Sequence, residues 1–154
     1  MIRKITILAM VLVLGLATIA SAQPWRGWKG SGGWGCGGPY QRMYDPQTVA
    51  TVTGTVEAVE TFTSMRGMSV GVHLTLKTAD GTISAHLGPA WYIERQDVKL
   101  EKGDAVEVKG SKITFDSNPA IIAAEVKKGD EVLKLRDENG IPNWAGSGMG
   151  RMAR

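Results

Sequence analysis

Two runs of strict alternation constrain this chain most. Val70, Val72, Leu74 and Leu76 are apolar at every second position, and Ile83, Ala85 and Leu87 repeat the pattern. A period of two puts one face of a strand in a core and the other in water. Between the runs lies Asp80-Gly81, a strong turn signal for a two-stranded hairpin. A loop centred on that dipeptide predicts Leu76 opposite Ala85 and Leu74 opposite Leu87. It sets Thr75 against His86 and His73 against Gly88 on the non-core surface. A slip of one residue would turn the core face toward the polar face.

The same punctuation continues through residues 48–144. Thr48 to Phe62 is long and β-branched, with Gly54 marking a bend or bulge. Ser64 to Gly67 reads as a loop. After the hairpin, Pro89 opens a short non-alternating stretch with Trp91, Tyr92 and Arg95, which reads as a helical turn. Glu101 to Asp104 turns into a fourth strand that starts at Val106 and Val108 and runs toward Phe115. Asp116-Ser117-Asn118-Pro119 is a turn with side-chain caps. Ala120 to Val126 is a fifth strand, and Glu131 to Arg136 a short sixth, closed by Asn139-Gly140. The expected fold is therefore mainly β. It is a small five- to six-stranded OB-like Greek-key barrel with one short helix after strand three. Another small barrel or an open meander is the competing arrangement.

The flanks differ in kind. Arg3 and Lys4 precede an uncharged apolar run from Ile5 to Ala20, followed by Ala20-Ser21-Ala22. This is the form of a cleaved secretory signal over residues 1–22, and it predicts a periplasmic or secreted protein. The alternative is an uncleaved anchor, but the run is short of the roughly 20 residues that span a bilayer, so no stable membrane span is expected after cleavage. Residues 23–47 are rich in Gly, Pro and Trp and show no apolar period. They read as a flexible leader whose Trp25, Trp28 and Trp34 would dock on a partner or on the chain's own domain. Residues 145–154 read as a disordered basic tail.

Charge follows these divisions. The whole chain is +3. The segment 48–144 holds 11 Lys+Arg and 14 Asp+Glu, a net of −3, so the basicity lies in the flanks. A barrel that tracks phosphates needs a basic binding face, so nucleic acid is an unlikely partner.

The wording of the barrel segment resembles a known family. The runs GVHLTLKTADGTISAHLGPAWYI, LEKGDAVEVKGSKITF and PAIIAAEVKKGDEVLKLRDENGIPNWAG are similar to the domain of the magnetosome-associated MamS and MamX proteins and their exported relatives. The most specific words are HLGPAWY at 86–92 and LRDENGIPNWAG at 135–146. The chain also resembles bacterial periplasmic OB-fold proteins in general plan. The resemblance implies an exported, non-enzymatic binding module of an envelope assembly or a metal-handling system, with protein or a small ligand as partner. Some relatives carry a Cys-x-x-Cys-His haem-attachment site. Here the single Cys36 is followed by Gly37-Gly38-Pro39, so covalent haem is not carried over.

Few residues suggest chemistry. His73 and His86 fall on one face by the expected register, as diagonal neighbours within reach of a shared ligand. Imidazoles suit zinc, copper or iron. Met65 and Met68, like Met149 and Met152, have Met-x-x-Met spacing, and thioethers are soft Cu(I) ligands. Both patterns have plain readings, as outward polar residues and as loop gap fillers. No third carboxylate or thiolate ligand is evident in sequence beside the histidines. Trp91 and Tyr92 are candidates either to line a binding surface or to plug the barrel end. No nucleophile elbow, Cys–His pair or phosphate loop is present, so no catalytic residue and no enzyme activity is expected.

Overall fold

The computed structural model describes residues 32–145. The expected signal at 1–22, Trp25 and Trp28, and Met149 and Met152 of the tail lie outside them. Within the described residues the elements are β1 (Val49–Phe62), β2 (Gly71–Thr78), β3 (Gly81–Pro89), a single helical turn α1 (Ala90–Ile93), β4 (Ala105–Phe115), β5 (Asn118–Lys128) and β6 (Glu131–Lys134). Two short 3-10 turns, Gln41–Met43 and Pro46–Thr48, precede β1.

The strands run β3-β2-β1-β4-β5-β6 in one sheet. Parallel pairing of Ser84–His86 with Ala120–Ile122 brings β3 against β5 and closes the ring. This is the connectivity of an OB-type barrel, with the short helix after strand three. β5 serves two neighbours, pairing β3 with its first half and β6 with Glu125–Lys128.

Alternation decides what lies inside. Leu74, Leu76, Ala85, Leu87, Val106, Val108, Ile121, Ala123 and Val126 are buried in one core. Each large apolar side chain removed from water contributes about 1.5–3 kcal/mol. Gly110 lets β4 and β5 approach at a bulge between Lys109 and Gly110, where a methyl group would strike the Ile122 carbonyl. The bend in β1 is a bulge between Val56 and Ala58 rather than at Gly54. Gly54 serves close packing instead, since a side chain there would meet the Lys77 carbonyl.

The β2–β3 register differs from the expected one. The loop is Ala79-Asp80, because Thr78 pairs with Gly81. Leu74 faces Ala85, Leu76 faces Ile83 and Thr75 faces Ser84. The shift is two residues, so each side chain keeps its face while its partner changes. The same shift sets His73 directly opposite His86 instead of Gly88, and a bulge between Val72 and His73 then pairs Val72 with Gly88. Gly81 has a φ of 121°, so glycine here ends the turn and does not sit at its centre.

The Gly/Trp segment is also corrected from residue 32 onward. Trp34, Tyr40 and Tyr44 are buried in the core rather than held in a flexible leader. The Trp34 ring sits on Gly71, whose missing side chain makes room for it, and its Nε1 donates to the Ser69 carbonyl at 2.9 Å. Large ring area gained outweighs the backbone entropy lost in so glycine-rich a segment. Trp144 is fully buried from the other end of the chain, stacked over Gly88. Its Nε1 donates to the Trp34 carbonyl at 2.8 Å.

Arg136 seals the barrel seam where β3 and β5 part. Its Nη1 donates to the Leu87 carbonyl at 3.1 Å and also to the Ala123 carbonyl. The guanidinium lies 4.8 Å over the Trp144 ring, and burial lowers its pKa to about 10, so it is charged at neutral pH.

Candidate ligand-binding cleft

His86 is 1% exposed, which overturns its expected place as an outward polar residue. By alternation it lies on the face of β3 opposite Ala85 and Leu87. That face is roofed by rings that sequence periodicity does not reveal. Phe62 from the end of β1 lies 4.5 Å from the His86 ring, and Phe115 from the end of β4 meets it edge-on at 4.8 Å. Tyr40, from the segment ahead of the barrel, stacks behind at 6.0 Å.

Tyr40 also fixes the imidazole. Its hydroxyl and His86 Nδ1 are 2.9 Å apart. Burial holds the Tyr40 hydroxyl far above its ordinary pKa, so it stays protonated. Tyr40 has no other acceptor among the described residues, so its O–H donates to Nδ1. The neutral imidazole therefore carries its proton on Nε2, and that N–H has no hydrogen-bond partner among the described residues.

His73 and His86 are near-parallel at 6.0 Å, and Phe62 stacks on His73 at 5.0 Å. His73 Nε2 lies 3.2 Å from Glu60 Oε2, its cross-strand neighbour on β1. Glu60 is an acidic group beside the histidines that sequence reading missed, because strand pairing brings it there from 13 residues away. These groups open on a cleft of about 260 Å³. Ser84 lines it two residues before His86 on the same face, and its Oγ is buried without a hydrogen-bond partner. Asp116 and Asn118 form part of the mouth. Asp116 and Ser117, at φ 47° and 64°, turn the β4–β5 hairpin with both residues in the left-handed region.

The other expected site residues lie elsewhere. Trp91 and Tyr92 are half-buried against the core, and Tyr92 packs on Trp144 at 5.1 Å; neither lines the cleft. Met65 and Met68 also pack partly against the core, and Met68 Sδ accepts the Ser64 hydroxyl at 3.0 Å. Cys36 is an exposed free thiol. Among the described residues, no group of three or more His, Cys, Asp or Glu is placed to hold a metal ion. No helix among them is long and apolar enough to cross a membrane.

A family model described as the MamS/MamX magnetosome protein family matches residues 48–133, more than half of the chain. The protein belongs to the MamS/MamX family. No curated protein matches the chain. The MamS/MamX match covers β1 to β5, most of β6 and every residue named above as lining the cleft. It leaves out Trp34, Tyr40 and Tyr44 on one side and Arg136 and Trp144 on the other. In this MamS/MamX chain, then, the buried rings that complete the core and orient His86 come from flanks beyond the matched segment.

His86 makes stability depend on pH. Burial, with lesser contributions from His73 and Arg136, pushes its pKa down to about 4. In the unfolded chain the ordinary value near 6.5 applies. The unfolded state thus binds the extra proton between those values, so stability is full above about pH 6.5 and falls as pH drops toward 4. The loss attributable to His86 by pH 4 is on the order of 3 kcal/mol. A proton NMR titration should show the His86 ring unprotonated until the pH nears 4. An ordinary histidine midpoint would refute the buried placement.

Proposed function

We propose that this protein is an exported, non-enzymatic binding module that acts in an assembly of the bacterial cell envelope or in metal handling there. The observation that carries this reading is the ring-walled cleft on the closed barrel, where the His86 Nε2 edge has no protein partner among the described residues and the Ser84 hydroxyl is buried without one. Such convergent polar groups in an apolar recess are the usual makings of a binding site. The signal-like sequence of residues 1–22 and the MamS/MamX membership support the setting. The charge of the barrel segment counts against nucleic acid.

The test is to fill the cleft from its exposed rim. Thr63→Trp adds bulk at the mouth without touching the core. Envelope fractions passed over wild type and variant should leave a component on the wild type that the variant loses. Identical retention by both would sink the reading.

A second reading, a copper, iron or zinc site, is favoured by the His73–Glu60 contact at 3.2 Å opposite His86. Titration with each metal, repeated on His73→Ala with His86→Ala, decides it. Equal binding by wild type and double variant rules it out.

A further inference from the structure

The chemistry of the cleft narrows what it binds, on the reading that it is a binding site. Three features act together. The walls are rings, with Phe62 and Phe115 at right angles 6.1 Å apart and the two imidazoles beside them. Such a recess favours a flat, apolar body. Two polar groups here without protein partners among the described residues can donate, and of the two only the Ser84 hydroxyl can also accept. His86 offers Nε2–H because Tyr40 occupies Nδ1, and the buried Ser84 hydroxyl stands two residues away on the same strand face. Leaving the buried Ser84 donor unmet is costly, so an acceptor oxygen that reaches it and the neighbouring His86 Nε2–H gains most. Charge supplies the third constraint. Among the described residues no Lys or Arg lines the cleft, while Asp116 stands at its mouth and Glu60 beside His73. A carboxylate ligand would meet repulsion with no cation to offset it. An ammonium group could use only the Ser84 oxygen of the two and would be turned toward the His86 N–H.

We propose that the cleft binds an uncharged aryl carbonyl group, with its ring against the cleft-facing sides of Phe62 and Phe115 and its oxygen accepting from His86 Nε2–H and the Ser84 hydroxyl. Tyr40 is a positioning residue for this site. It touches no ligand but selects the tautomer that makes His86 a donor.

Three probes with the same ring and different charge test this: benzamide, benzoate and benzylammonium. Each is titrated into the purified protein while amide and imidazole NMR signals are followed. Benzamide should shift signals of Phe62, Ser84, His86 and Phe115, and bind at least about tenfold more tightly than either charged probe. Ser84→Ala removes a hydroxyl that has no protein partner, so the fold should survive while benzamide binding weakens by about fivefold. Tyr40→Phe frees the tautomer, and should reduce the preference for benzamide over benzylammonium. Tighter binding of benzoate or benzylammonium in the cleft would overturn the ligand class while leaving a binding module in place. Zinc chloride displacing benzamide through His73 and His86 would do the same in favour of the metal reading. If no probe, zinc included, moves these signals, the binding-module reading falls as well.

Discussion

Replacing Trp144 by alanine is expected to cost about 4 kcal/mol of folding stability. The indole is fully buried and fills the space over Gly88. It packs on Tyr92 at 5.1 Å and lies beneath the Arg136 guanidinium at 4.8 Å. Alanine would open a cavity, remove the cation–π contact and leave the Trp34 carbonyl without its indole donor. Arg136 would suffer most, because its buried Nε and Nη2 already lack hydrogen-bond partners. Chemical denaturation followed by far-UV circular dichroism measures the loss. Trp144→Phe should cost less, about 1–2 kcal/mol, since a ring stays over Gly88 while the hydrogen bond goes. A loss below about 1 kcal/mol for the alanine variant would mean that this ring is not part of the core.

Gly110→Ala is expected to cost about 3 kcal/mol, although it adds only one methyl group. The methyl would lie 2.8 Å from the Ile122 carbonyl carbon and 2.9 Å from the Ala123 Cα. These are backbone atoms of β5, held on their other side by β3. No rotamer change relieves the clash, so the barrel must widen at its closing strand. Gly129→Ala is the control. It has φ 59° and open space around it, so only backbone strain is added, about 1 kcal/mol. Equal losses in the two variants, read from denaturation midpoints, would show that strand spacing at Gly110 does not matter.

The barrel was legible in the sequence because its strands alternate and its turns carry Asp, Asn and Gly. Val70 to Leu87 carries enough period-two pattern to fix which face is buried. The partner of each residue was not legible, since a two-residue shift preserves every face. That shift moved His73 from a diagonal to a direct neighbour of His86. The histidine pair was found from sequence, but its burial was not. Alternation describes one sheet and knows nothing of a roof supplied from elsewhere. Phe62 and Phe115 stand at strand ends far apart in the chain, and Tyr40 sits in a segment whose glycine content pointed to flexibility. The signal that would have found Tyr40 is its aromatic neighbour Trp34 and the small Gly71 that receives it. Glu60 was hidden for the same reason, as cross-strand contacts cannot be counted along the chain.

The hydrogen bond from Trp144 to the Trp34 carbonyl joins residues 110 positions apart. Almost the whole described chain must be in place before it can form. Contacts of such separation come late in folding, because the loop they close costs entropy before the contact repays it. Trp34 is made early but gains its partner only when the last strand and the turn after it arrive. A chain that lacks the segment around Trp144 lacks this bond. The two tryptophans thus tie the start of the described chain to its end.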